Sequence, residues 1–184
     1  MADFRHLGDT EVHHGHVWKV VLADFEAPDG TRFRRDIVRS SGSVGVVPLV
    51  FDAEGLPSVV LVEQYRPAYE RDVIEIPAGM RDVAGEPPEQ TGRRELIEEA
   101  GLRAGEMAHL IDTLPSPGMT DSVCSIFLAT DCTPVDHDRH GPEEEAMRLL
   151  HVPLDDALAM IDRGEINDAK TVAGLLVTDR RLRA

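Results

Sequence analysis

Cysteine is nearly missing from this chain of 184 residues, and positive charge is scarce. Cys124 and Cys132 are the whole supply. They are not spaced as Cys-x-x-Cys, which excludes a zinc ribbon, and two thiols make no disulfide framework. Nineteen Lys and Arg stand against 34 Asp and Glu, a formal net charge of −15. So acidic a chain repels phosphate backbones and anionic headgroups, and neither nucleic acid nor membrane is an expected partner. No window holds the roughly 20 apolar residues of a membrane span, and the opening Met-Ala-Asp-Phe-Arg-His has no apolar stretch for export. A cytoplasmic protein is expected. Repeats and low-complexity tracts are missing too. What remains is enough chain for one domain, or one domain with a small appendage.

What is present in excess is carboxylate, and it is crowded at one place. Pro87-Pro88 opens a run of helix formers, and a proline at the first helical position supplies the required φ at no hydrogen-bond loss. Gly101 followed by Leu102 reads as a left-handed cap with its apolar contact. The spacing predicts a helix over about 88–100. At about 100° per residue, Glu95, Glu98 and Glu99 fall within an arc of about 100°. Like charges at these spacings repel, and the last helical turn disfavours anions. A hard divalent cation reverses both penalties, since Mg²⁺ or Mn²⁺ takes oxygen ligands and keeps sites for water and phosphate. A solvated acidic face is the bland reading of an isolated Glu pair.

The rest of the chain alternates strand and helix signals. Residues 17–25 and 31–38 are β-formers around the turn Pro28-Asp29-Gly30, and read as a hairpin. Apolar runs at 44–51, 59–63 and 73–76 predict buried strands. Further strands are expected at 108–114, 122–129 and 147–152, with a polar acidic loop at 131–145. Helices are expected at 154–163 and 168–180, the second capped by Asn167 or Asp168. The expected class is α+β, with helices on a mixed sheet.

Residues 79–102 resemble the signature of the Nudix hydrolases, Gly-x5-Glu-x7-Arg-Glu-aliphatic-x-Glu-Glu-x-Gly-aliphatic. The match is complete from Glu86 to Leu102, with six residues rather than five between Gly79 and Glu86, and lengthening a loop is inexpensive. The resemblance implies an α/β/α sandwich with a mixed sheet over the catalytic domain, 41–184. It implies metal ligands at Glu95, Glu98, Glu99 and the carbonyl of Ala78, with Glu86 pairing with Arg94 to order the loop. In the ADP-ribose and nucleotide-sugar pyrophosphatase branch a small antiparallel N-terminal sheet is exchanged in a homodimer. Residues 1–40 would fill that role.

Gln64-Tyr65-Arg66-Pro67, Ile76-Pro77-Ala78-Gly79, and Pro117 fifteen residues past Leu102 are similar to the same branch, and the loop 82–88 looks like its actinobacterial members. A proline near that offset marks ADP-ribose preference, against the bland reading of Pro117-Gly118 as a turn. Ser122 departs from the glutamate many relatives carry there. By resemblance the general base lies in Glu143-Glu144-Glu145, with Glu145 preferred to Glu144. Trp18, on the first strand, is a candidate for stacking on adenine, with a core or interface place as the alternative. Arg35 and Arg66 are candidates for diphosphate or ribose contacts, because a guanidinium offers a fork to phosphate oxygens. His13, His14 and His16 read as solvated. The implied activity is Mg²⁺- or Mn²⁺-dependent cleavage of ADP-ribose to AMP and ribose 5-phosphate. The alternatives are another nucleoside diphosphate sugar as substrate, or a non-catalytic ligand-binding module.

Overall fold

The computed structural model of the chain is described here for residues 3–52, 54–137 and 145–184. It divides into two compact units, one of residues 1–42 with 114–123 and the other of 43–113 with 124–184.

The first unit is a three-stranded antiparallel sheet, β1 (Arg5–His14), β2 (Lys19–Glu26) and β3 (Arg32–Arg39), in that order. β2 and β3 fulfil the expected hairpin. Between them Gly30 takes φ +87°, and the Asp29 carboxylate accepts the Thr31 N–H at 2.9 Å. β1 is additional: every residue in it is exposed, so no burial pattern betrays it in the sequence. Trp18 lies in the β1–β2 turn rather than on a strand, its carbonyl accepting the Gly15 N–H at 2.9 Å. Segment 114–123 packs against β3: the Val38 N–H donates to the Met119 carbonyl at 2.9 Å, and the Thr120 hydroxyl donates to the Val38 carbonyl at 2.7 Å.

The second unit is built on a seven-stranded mixed sheet. Its path runs β12 (Arg148–Pro153), β5 (Pro57–Arg66), β4 (Ser43–Phe51), β10 (Cys124–Thr130), β9 (Glu106–Thr113). β6 (Arg71–Glu75) pairs with β5, and β7 (Ala78–Met80) with β4. β4 and β10 run parallel; the other pairs are antiparallel. Because strand side chains alternate between faces, Val46 and Val60 pack with Leu96 and Ala100 of α1 (Pro88–Ala100). Val47, Val59 and Leu61 pack with Leu154 and Ala157 of α2 (Leu154–Asp162) and Leu175 of α3 (Ala169–Leu182). α1 thus covers one face, and α2 with α3 the other, the sandwich the sequence led us to expect.

α1 has the predicted bounds. Pro88 starts it, and Gly101 ends it at φ +61° with its N–H on the Ile97 carbonyl at 3.0 Å. The expected acidic loop includes a short strand, β11 (Thr133–Pro134), paired with β8 (Leu102–Arg103) just after the helix.

Candidate active site

The end of α1 carries the carboxylates inward. Glu95 and Glu99 are 7% and 4% exposed, while Glu98 is half-buried. Burying charge without compensation is prohibitive, and the structure shows part of the compensation. Arg94 Nη1 lies 2.8 Å from Glu95 Oε1 and 2.9 Å from Glu98 Oε2. Its Nη2 lies 3.5 Å from Asp82 and 3.7 Å from Glu86. Burial opposes the charge of this guanidinium, but Glu95, Glu98 and Glu86 outweigh it and raise its pKa further. The expected Glu86–Arg94 pair is therefore a long one, and Glu86 has a shorter bond from the Thr91 hydroxyl at 2.8 Å.

Two backbone residues complete this face. The Ala78 N–H donates to Glu99 Oε2 at 2.8 Å. At Gly79 a Cβ would stand 2.1 Å from Glu95 Cδ and 2.2 Å from its Oε1, so the Glu95 carboxylate lies directly on the glycine. Close approach, not an unusual φ, is what requires glycine here. The donor set is all oxygen and partly buried, which suits a hard divalent cation. Among the described residues no three Asp, Glu, His or Cys side chains are already gathered closely enough to hold one.

A second polar cluster lies at the end of β5. Register pairs Val62 with Glu75 and Gln64 with Val73, so Gln64, Arg66 and Glu75 share the face that Val60 presents to α1. Arg66 donates to Glu75 through Nε at 2.6 Å and Nη2 at 2.7 Å. Lys170, in the first turn of α3, also donates to Glu75, and to Asp168 at 3.0 Å. Burial pushes the Glu75 carboxyl upward, but Arg66 and Lys170 more than offset it and hold the pKa below the usual range. The Arg66 pKa is raised, first by its bond to Glu75, against burial, with smaller contributions from Glu99 and Asp168. The Gln64 amide nitrogen is buried with no hydrogen-bond partner among the described residues.

The first unit holds a cleft of about 500 Å³ that brings together Arg35, Pro117 and Gly118 with Phe33 and Asp121. The Arg35 guanidinium sits 4.8 Å above the Phe33 ring, itself stacked on Phe25 at 5.4 Å. Asp121 ties the loop down by accepting from the Ser40 N–H at 3.0 Å and Arg39 Nη1 at 3.1 Å. Trp18, 54% exposed, is not among the residues lining this cleft. Glu145 is exposed, and Glu143 and Glu144 lie outside the described residues.

Sequence reasoning passed over Glu75 and Lys170, and took Gln64 only as part of the 64–67 stretch. The available signal was Glu75, an acidic residue inside the apolar run 73–76.

The NUDIX domain model matches residues 41–175. The ADP-ribose pyrophosphatase of Bacillus subtilis is 34% identical over 165 residues, covering 90% of this chain and 86% of that one. The ADP-ribose pyrophosphatase of Mycobacterium tuberculosis is 34% identical over 174 residues, covering 95% and 82%. The crystal structure of an ADP compounds hydrolase superposes with a TM-score of 0.83 at 24% identity, over 98% of this chain and 94% of that one, a likeness of fold.

Proposed function

Since the chain belongs to the Nudix family, we propose that it hydrolyses the diphosphate of ADP-ribose to AMP and ribose 5-phosphate, with Mg²⁺ or Mn²⁺ held by Glu95, Glu98, Glu99 and the Ala78 backbone. The observation that carries this reading is the pair of buried carboxylates on the last turns of α1, one of them seated on a glycine that leaves it room. When bound, the metal neutralises non-bridging oxygens and lowers the pKa of the attacking water.

The chain's own groups do the rest. A water oxygen bonds to one phosphorus as the bridging P–O bond breaks, and the water's proton passes to Glu145, with Glu144 next in line. Arg94 neutralises part of the charge of Glu95 and Glu98, the carboxylates that would hold the cation. Arg66 offers its fork to the diphosphate, and the unsatisfied Gln64 amide supplies a donor on the same face. The cleft of the first unit has the chemistry for the nucleoside, with a guanidinium over an aromatic ring at Arg35 and Phe33 and the Pro117-Gly118 loop beside them.

The domain reading follows the same lines: residues 1–40 serve dimerisation by exchanging the N-terminal sheet, and 41–184 serve catalysis. The fully exposed β1, with Phe4, Leu7, Val12 and Trp18 on the surface around it, supports a covered sheet in a homodimer. Free thiols at Cys124 and Cys132 fit a reducing, cytoplasmic setting, and among the described residues no helix is long and apolar enough to cross a membrane.

The test is a turnover panel of ADP-ribose, ADP-glucose, GDP-mannose, NADH and a nucleoside triphosphate, each with Mg²⁺ and with chelator. Preference for ADP-ribose and loss of activity in chelator are expected. Turnover indifferent to chelator would sink the metal assignment, and preference for another sugar would move the substrate assignment to it.

A further inference from the structure

Glu75 is 2% exposed and carries two cations where one would neutralise it. The two are not equivalent. The Arg66 side chain is 39% exposed, whereas that of Lys170 is 16% exposed. Lys170 is also fixed from behind. Its other partner, Asp168, caps α3 by accepting the Thr171 N–H at 3.0 Å and the Thr171 hydroxyl at 2.6 Å. The same Thr171 hydroxyl accepts the N–H of Ile76, the residue after Glu75, at 2.9 Å. The ammonium is thus anchored to the strand that carries the carboxylate.

A buried carboxylate deprived of its only counter-ion is heavily destabilised. With Arg66 as sole partner, Glu75 would hold that guanidinium fast and oppose its transfer to any other anion. With Lys170 present, Glu75 stays neutralised when Arg66 turns away. Resting on the reading that Arg66 takes the diphosphate, we infer that Lys170 is a positioning residue, the permanent counter-ion of Glu75 that releases Arg66 to the substrate. It touches no reacting atom. Its effect falls on substrate binding rather than on the chemical step.

The experiment is steady-state kinetics on ADP-ribose at saturating Mg²⁺ for Lys170→Met, Lys170→Arg, Glu75→Gln, Lys170→Met with Glu75→Gln, and Arg66→Ala, with thermal melts alongside. Lys170→Met is expected to raise KM about tenfold, the weakening of one charged hydrogen bond to the substrate, with kcat within about twofold of the parent. Lys170→Arg should restore the parent KM. Adding Glu75→Gln to Lys170→Met should bring KM back down, because no carboxylate is left to retain Arg66. A KM within twofold of the parent in Lys170→Met, a loss confined to kcat, or a double variant worse than Lys170→Met overturns the inference. If Lys170→Met does not fold, Lys170→Gln is read in the Glu75→Gln background. There it should leave KM unchanged, and a further rise overturns the inference. An unchanged KM in Arg66→Ala instead removes the underlying reading of Arg66, a distinct result.

Discussion

Replacing Gly79 by alanine adds one methyl group where β7 meets the end of α1. The new Cβ would stand 2.1 Å from the Glu95 carboxyl carbon, against 3.4 Å for ordinary contact, so one of them must retreat by roughly 1.3 Å. Glu95 is 7% exposed and held at 2.8 Å by Arg94, so its retreat disturbs a buried ion pair as well as a packing contact. Overpacking of this kind costs about 1–3 kcal/mol. In a chain of 184 residues that lowers Tm by roughly 2–4 °C for each kcal/mol. The functional effect should exceed the structural one. A ligand displaced by an ångström from its productive geometry loses about ten- to a hundredfold in metal affinity or turnover. Titrating activity with Mn²⁺ separates the two, since a stability defect alone leaves the metal midpoint in place. Gly79→Ala should shift that midpoint upward while the far-ultraviolet circular dichroism is kept. A variant with the parent's midpoint and kcat would refute the assignment of this seat as the working position of Glu95.

Three further outcomes are expected. Glu99→Gln should lower kcat by about two orders of magnitude or more with little change in melting, because the amide oxygen still accepts the Ala78 N–H; near-normal turnover would remove Glu99 from the ligand set. Glu145→Gln should reduce kcat by about 10²–10⁴-fold, and full activity would pass the base role to Glu144. The Glu75 pKa is lowered on folding, so its ion pairs contribute stability above the unfolded value of about 4.3, and that contribution is lost as pH falls through the folded value. Urea midpoints between pH 3 and 6 should therefore fall less steeply in Glu75→Gln than in the parent; equal slopes would show that Glu75 does not titrate differently in the two states.

How much of this was legible depends on how local each cause is. The expected span of α1, about 88–100, agrees with the one found because its limits are set within the segment, by Pro88 at one end and the left-handed Gly101 at the other. β1 was invisible for the opposite reason: it is held by backbone pairing with β2 while all its side chains stay exposed, so no alternation marks it. The strand expected at 122–129 begins at Cys124, because 114–123 belongs to the first unit. Within the candidate site the glutamates could be placed on one helix face from spacing alone. The role of Arg94 could not. It was expected to pair with Glu86, whereas it lies nearer to Glu95 and Glu98. Lys170 meets Glu75 across 95 residues, a juxtaposition that only the sheet and α3 create.

The placement of residues 114–123 bears on the proposed nucleoside cleft of the first unit. Thr113 and Cys124 are register partners on adjacent strands β9 and β10, so the chain leaves the large sheet and returns to it at neighbouring positions. The intervening residues are a hairpin connection by topology, yet by packing they belong with β3, which they meet through Val38, Arg39 and Ser40. Loops of this kind accept sequence change with little effect on the sheet that launches them. Arg35 and Pro117 are 82 residues apart but line one cleft, whereas the carboxylates of α1 are fixed within a single helix of the other unit. On the proposal that this cleft receives the nucleoside, changes in it should alter which nucleoside is accepted while the carboxylates, the Gly79 seat and the Arg66, Glu75 and Lys170 cluster stay as they are.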